Sequence, residues 1–153
     1  MSAGYSKFNW ANYIDFAKTL YQEILAGEEN ECKIRCGISR AYYGAFHRAE
    51  AYLRRAQIDF KIYGKGSHEN LIIEFEKLGK NGDKKFTKIS KYLDRLKQLR
   101  VKADYYDIFF NSIAPRRDGN MRLIFNQFLI DVDEVIRTIE DVEKQEIEQG
   151  LLK

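Results

Sequence analysis

Apolar residues recur three or four positions apart along almost the whole chain, which is the spacing of the buried face of an amphipathic α-helix. No stretch of useful length alternates apolar and polar residues, as a half-buried β-strand would. No internal repeat is visible either. The pattern therefore predicts an all-α protein.

Four long helices and one short helix are predicted. Gly27 marks the end of the first, and Ser67 is placed to act as the N-cap of the short one. A turn at 79–82 separates the short helix from the next. Long amphipathic helices with short connections predict an antiparallel bundle of four to five helices. The predicted helices span Asn9–Ala26, Asn30–Gln57, His68–Leu78, Lys84–Phe110 and Met121–Glu148.

The composition is that of a single globular domain covering residues 1–153. Hydrophobic residues make up 44% and charged residues 32% of the chain, and it has only one proline, which argues against disorder and low complexity. No apolar run approaches the length of a membrane span, and the first ten residues lack the pattern of a secretory signal. We therefore expect a soluble cytoplasmic protein without a membrane partner.

The two cysteines, Cys32 and Cys36, are four residues apart and would share one face of a helix. A zinc site would need two further ligands, and only His47 and His68 are available as histidines. We therefore expect free, reduced and buried thiols, with no metal and no cofactor.

Charge is distributed unevenly along the chain. The segment Lys77–Lys102 contains ten basic and two acidic residues, whereas Asp131–Glu148 contains eight acidic and two basic residues. One interpretation is that the two segments attract each other within the bundle. The other is that the basic helix meets RNA or another polyanion, although the net charge of the chain is only +3.

Three charged residues break the apolar pattern of the fourth helix. At 100° per residue, Arg100, Asp104 and Asp107 project on the same side as its apolar stripe. Burying a charge is costly unless it is paired. Arg100 and Asp104 are four residues apart and so could pair within the helix, or they could reach groups on the second helix.

The second helix carries a polar face opposite its apolar stripe. Arg40 and His47 are seven residues apart and share that face, with Tyr43 near them. Gly44 and Ala51 flank it, and their small size allows another backbone to come close. A helix of this kind is expected to lie at the centre of the bundle, contacted on most sides.

These polar residues have two interpretations. They form either a buried network that fixes the helix register, or a site for a phosphate or RNA backbone. In such a site arginine would bind the phosphate through two hydrogen bonds, and histidine would act as acid or base near neutral pH. His68 follows Gly66 and Ser67 where the short helix begins, so this helix end could likewise bind an anion or simply be capped.

Three segments together resemble HEPN-domain proteins. They are the string from Ser39 to His47 (SRAYYGAFH), the string Gly66-Ser67-His68, and the segment Leu99–Tyr105 (LRVKADY). Their order and spacing match over about residues 9–145. The chain most resembles a small stand-alone prokaryotic subfamily.

The resemblance implies an all-α bundle that is often a homodimer. Many HEPN proteins are metal-independent endoribonucleases of toxin–antitoxin, CRISPR-linked or other defence systems. They are often encoded beside a minimal nucleotidyltransferase antitoxin, which would be the partner here. Their catalytic motif is an arginine followed after four to six residues by a histidine on a late helix, and two protomers commonly combine their motifs in one site.

This chain departs from that motif because no histidine follows Arg100. Arg40 and His47 satisfy the spacing, with six residues between them, but they lie on the second helix. The candidate catalytic residues are therefore Arg40, His47 and Arg100. The candidate binding or network residues are Tyr43, Asp104, Ser67 and His68.

Three functions follow as hypotheses. The first is a non-catalytic HEPN-like module that associates with a nucleotide or RNA and with a partner protein. The second is a metal-independent HEPN-type endoribonuclease toxin that uses Arg40, His47 and Arg100. The third is a structural helical protein whose polar interior serves stability alone.

Overall fold

The computed structural model describes residues 7–27, 31–60, 66–107, 109 and 121–150. Every regular element in these ranges is a helix, and the helices pack together as a bundle. The predicted all-α fold is thereby confirmed. The helices are α1 (Ala11–Leu25), α2 (Glu31–Arg55), α3 (Ser67–Asn81), α4 (Lys84–Tyr105) and α5 (Met121–Glu148).

Helix α2 lies at the centre of the bundle, as predicted, because it packs on α1, α4 and α5 and also touches α3. Two glycines make these close approaches possible. A Cβ atom on Gly44 would lie 2.5 Å from a side-chain carbon of Ile14 on α1, and one on Gly37 would lie 2.3 Å from the Phe125 ring on α5. The small residues of α2 therefore bring the neighbouring helices close to its axis.

The apolar stripes predicted for α2 and α4 form the core. Ile38, Tyr42 and Leu53 on α2 are fully buried, and so is Leu93 on α4. Complete burial of each such aliphatic side chain stabilises the fold by roughly 1.5–3 kcal/mol before entropy is counted. Burial of these stripes sets the rotation of each helix about its own axis, and this rotation determines which polar side chains face inward.

Helix α3 begins and ends differently from the prediction. Ser67 is its first residue and is buried; the N-cap is Gly66, with φ of 87°, and no side chain caps the helix. At the other end α3 continues through Gly79, where a Cβ atom would lie 2.1 Å from Thr87 Oγ1 and 2.7 Å from Thr87 N on α4. Gly79 thus serves close packing between two helices and does not form a turn.

Helix α4 ends at Tyr105, earlier than the predicted Phe110, and Tyr106 is extended. The reason lies on α2, where Arg35 donates hydrogen bonds of 2.6 Å to the carbonyl oxygens of Ala103 and Tyr106. A cation that binds the last carbonyls of a helix stabilises its end. Asp107, which was expected to face the core, lies beyond this end and is exposed.

The acidic face of α5 is partly neutralised within the bundle. Lys88 of α4 pairs with Glu134, and Arg48 and Arg55 of α2 pair with the buried Glu143. The attraction between α4 and α5 is therefore present, but α2 provides a large share of the positive charge that faces α5.

Other features concern the surface. Both cysteines are free; Cys36 is half-buried, whereas Cys32 is exposed, so the prediction that it is buried is wrong. The reason is that Cys32 lies in the first turn of α2, at the end of the bundle. None of the described helices combines the length and apolarity needed to cross a membrane.

Candidate functional site

Arg100 is a buried cation with incomplete pairing, as its position on the apolar side of α4 predicted. It is 6% exposed, and its Cζ lies 5.1 Å from the ring centroid of Tyr42 and 5.5 Å from that of Tyr43. Its Nη1 is 3.5 Å from a carboxylate oxygen of Asp104, which is long for a hydrogen bond, and its buried Nε has no hydrogen-bond partner. The faces of the two tyrosine rings therefore contribute to stabilising the charge, beside the long contact with Asp104.

His68, in the first turn of α3, meets the same two tyrosines. Its Nδ1 lies 2.9 Å from the hydroxyl oxygen of Tyr42, and its ring packs against Phe46 with centroids 4.4 Å apart. Burial, followed by the positive charges of Arg100 and Lys97, lowers the pKa of His68 to about 4. His68 is therefore neutral at neutral pH, and Tyr42, whose pKa burial raises, keeps its proton.

His47 borders this group from α2, and its ring centroid lies 6.4 Å from that of Tyr43. Its ring stacks on Trp10, with centroids 3.5 Å apart and planes 14° from parallel, and its Nδ1 is 3.7 Å from a carboxylate oxygen of Glu50. Burial lowers its pKa, against the opposing influence of the Glu50 carboxylate. His47 is thus a neutral imidazole with one face covered.

Arg40 does not join His47, although both belong to α2. The Arg40 side chain is exposed, and its Cζ lies 5.1 Å from the ring centroid of Tyr13. No hydrogen bond, ion pair or ring contact within the described part of the chain connects Arg40 with His47. Arg40 instead lines a groove of about 510 Å³ that also contains Cys36 and Asp104.

Four of the seven predicted site residues thus come together. Tyr43, His68, Arg100 and Asp104 surround the buried Tyr42, which the prediction placed in the core only. Ser67 lies beside this group at the start of α3 and is buried. Arg40 lies outside it, with its guanidinium over the Tyr13 ring. His47 borders it, because the His47 and Tyr43 rings are stacked with centroids 6.4 Å apart and the charge of His47 acts on His68.

A second candidate site is a groove of about 770 Å³ between the end of α3 and the first half of α4, which we call the basic groove. The close approach of the two helices at Gly79 and Thr87 forms one end of it. Its lining contains five cationic side chains and one carboxylate. These are Lys80, Lys84, Lys88, Lys91 and Arg95, with Asp94 as the carboxylate.

The cations of α4 form a ladder along one helix face. Lys84, Lys88, Lys91 and Arg95 follow one another at intervals of four, three and four residues, and extend over roughly 16 Å at 1.5 Å per residue. Tyr92 lies among them, with Arg95 Cζ 4.5 Å from its ring centroid.

Most of this charge has no internal counter-ion. Within the described ranges, no acidic side chain pairs with Lys84, Lys91 or Arg95; Lys88 pairs with Glu134. Asp94 accepts a hydrogen bond of 2.9 Å from Gln98. The groove therefore presents a mostly uncompensated positive surface.

Sequence reasoning missed several contributors to these sites. Counting charges located the basic segment but not its groove, because Lys80 reaches it from another helix. The partners of His47, namely Trp10 and Glu50, carried no local signal beyond the i,i+3 spacing of Glu50. Arg35 gave none, since its acceptors lie about seventy residues away.

Among the described residues, no group of three or more histidine, cysteine, aspartate or glutamate side chains is placed to bind a metal ion. Comparison of the chain with protein-family models, with curated protein sequences and with solved structures gives no match. The function must therefore be argued from the two sites themselves.

Proposed function

We propose that this chain is a HEPN-like, non-catalytic module that binds RNA along the basic groove and acts in the cytoplasm within a toxin–antitoxin or defence-type system. The observation that carries the proposal is the ladder of Lys84, Lys91 and Arg95, which has no acidic partner among the described residues. A homodimer and a nucleotidyltransferase partner, implied by the family resemblance, belong to the same proposal.

A nucleic-acid backbone suits this groove because both carry charge at regular intervals. Lysine and arginine side chains that bind successive phosphates release condensed counter-ions, and this release provides most of the affinity in sequence-independent binding. The Tyr92 ring and the planar Arg95 guanidinium add faces on which bases can stack.

The limited access to the three candidate catalytic residues supports a role without catalysis. Metal-independent cleavage needs a base at the 2′-hydroxyl and cations at the same phosphate. Arg100 is buried, Arg40 lies over Tyr13, and His47 lies under Trp10. One observation favours the alternative of a ribonuclease, because Glu50 lies beside Nδ1 of His47, where a carboxylate can orient a histidine base.

Binding of a fluorescent single-stranded RNA at several salt concentrations tests the proposal. We expect the variant Lys84→Gln/Lys91→Gln/Arg95→Gln to bind at least tenfold more weakly than wild type. The slope of log K against log salt should fall by roughly 2, since each lost phosphate contact removes about 0.7. The matched control Lys7→Gln/Lys18→Gln/Lys144→Gln removes the same charge from exposed positions elsewhere.

Equal weakening in both variants would contradict a specific groove, and so would absence of binding by wild type. The same samples, incubated in EDTA and separated by length, test the alternative. RNA cleavage by wild type that disappears in His47→Ala would overturn the non-catalytic assignment in favour of the ribonuclease.

A further inference from the structure

We infer that Arg100 and the first turn of α3 form a binding site for a small phosphate-class oxyanion, either inorganic phosphate or the terminal phosphate of a larger molecule. This site is distinct from the basic groove, and the inference does not depend on RNA binding there. It rests on an unpartnered buried donor, an uncapped helix end and the aromatic side chain that joins them.

The unpartnered donor is Nε of Arg100. The Arg100 side chain is 8% exposed, and this atom is fully buried without a hydrogen-bond partner. A buried cation without full pairing is costly, and the oxygen of Asp104 at 3.5 Å offers only a weak contact. An oxyanion supplies acceptors that match the planar donor set of a guanidinium.

The second component is the N-terminus of α3, a helix of 15 residues. Its N-cap is Gly66, which has no side chain, and no side-chain cap hydrogen bond to this end is present in the described part of the chain. The free N–H groups and the dipole of a helix N-terminus attract anions. The one acidic side chain in this first turn, Glu69, faces Lys97, with 3.7 Å between their charged atoms.

Tyr42 links the two components. Its ring lies beside the guanidinium of Arg100, and its hydroxyl is 2.9 Å from Nδ1 of His68 in the first turn of α3. Arg100 and the first turn of α3 thus both contact the Tyr42 side chain. The positive charges of Arg100, Lys97 and His47 also help to lower the pKa of His68, so several cations lie near the start of α3.

The surroundings favour a small ligand over a polyanion. Tyr42 and Phe46 are buried and form an apolar wall against the His68 ring, whereas His68 and Tyr43 are only half-buried and form the open side. Because the Arg100 guanidinium is itself buried, an extended backbone of several phosphates would not fit against it.

Isothermal titration with inorganic phosphate tests the inference in the full chain. We expect wild type to bind phosphate and Arg100→Lys, which keeps the charge but loses the planar Nε–H donor, to bind at least tenfold more weakly. The groove variant Lys84→Gln/Lys91→Gln/Arg95→Gln should bind phosphate as wild type does. It thereby separates failure of this inference from failure of the proposed function.

A measurement on wild type keeps the inference testable if Arg100→Lys does not fold. The assigned NMR resonance of the Arg100 Nε–H group should shift as phosphate is added, since this donor gains its partner. Short RNAs that carry either a 5′-phosphate or a 5′-hydroxyl then distinguish a terminal phosphate from the free ion. An unmoved resonance at millimolar phosphate, or unchanged binding by a folded Arg100→Lys protein, would overturn the inference.

Discussion

Tyr42 connects two basic side chains, Arg100 and His68. The Tyr42 and Tyr43 rings lie beside the guanidinium of Arg100. His68 loses its charge at neutral pH, since burial and the neighbouring cations lower its pKa to about 4. The neutral imidazole can then bond the Tyr42 hydroxyl without adding a second positive charge beside Arg100.

The low pKa of His68 predicts a dependence of stability on pH. The unfolded chain binds a proton near pH 6.5, whereas the folded protein binds it near pH 4, so stability is full above pH 6.5 and falls as the pH drops toward 4. We expect this histidine to account for a loss of about 2 kcal/mol, after allowance for solvent screening. Urea unfolding between pH 4 and 7.5 measures it.

The variant His68→Asn is the control, because its amide oxygen can still accept the Tyr42 hydroxyl but does not titrate. Its free energy of unfolding should fall less over the same pH range. His47 retains its own contribution, which has the same sign because its pKa is also lowered. An identical pH profile for wild type and variant would contradict the assignment to His68.

At the scale of elements, the contact between α3 and α4 depends on one missing side chain. Gly79 lies inside α3, yet the backbone nitrogen of Thr87 would be only 2.7 Å from a Cβ atom there. A glycine inside a helix costs about 1 kcal/mol of stability relative to alanine. The close packing that Gly79 permits must therefore stabilise the protein by more than this amount. The close contact between Gly79 and Thr87 thus helps to position α3 and α4, the two helices that form the basic groove.

Replacement of Gly79 by alanine should therefore destabilise the protein, by about 1–3 kcal/mol, because backbone atoms of α4 must move. Helix propensity alone predicts the opposite sign, a gain of about 1 kcal/mol. Gly82→Ala is a suitable control, since its nearest contact would be 3.4 Å and its φ of −162° suits any residue. Thermal unfolding followed by circular dichroism compares them, and a stabilised Gly79→Ala protein would show that the helices separate easily.

At the scale of the whole molecule, α2 organises the charges as well as the core. Glu143 on α5 is buried and pairs with Arg48 and Arg55, while Glu146 accepts a hydrogen bond of 2.5 Å from Tyr52. These contacts fix the far end of α5 against the centre of the bundle. They also direct two carboxylates of α5 toward α2, so these two do not pair with the cations of α4.

Loss of the buried carboxylate should weaken this attachment. We expect Glu143→Gln to lower the free energy of unfolding by about 2–4 kcal/mol, because the buried carboxylate is neutralised and the partly buried Arg48 and the exposed Arg55 lose their counter-ion. The control Glu148→Gln, at an exposed position on the same helix, should change it by less than about 0.5 kcal/mol. Chemical denaturation of both variants provides the comparison, and equal effects would contradict a special role for Glu143.

The features that sequence could predict are those set by local periodicity. The helices, the buried stripes of α2 and α4 and the burial of Arg100 all follow from the turn of 100° per residue. The end of α4 could not be predicted, because Arg35 reaches it from another helix. The separation of Arg40 from His47 was equally hidden, since it depends on how Trp10 and Tyr13 fold over α2.

The stacking of Trp10 on His47 gives the molecule an intrinsic optical reporter. The chain contains one tryptophan, so all indole emission comes from this contact between the start of α1 and the middle of α2. A protonated imidazole quenches indole fluorescence, whereas a neutral one does so weakly. The emission intensity therefore registers both the docking of the first helix and the protonation of His47, without any added label.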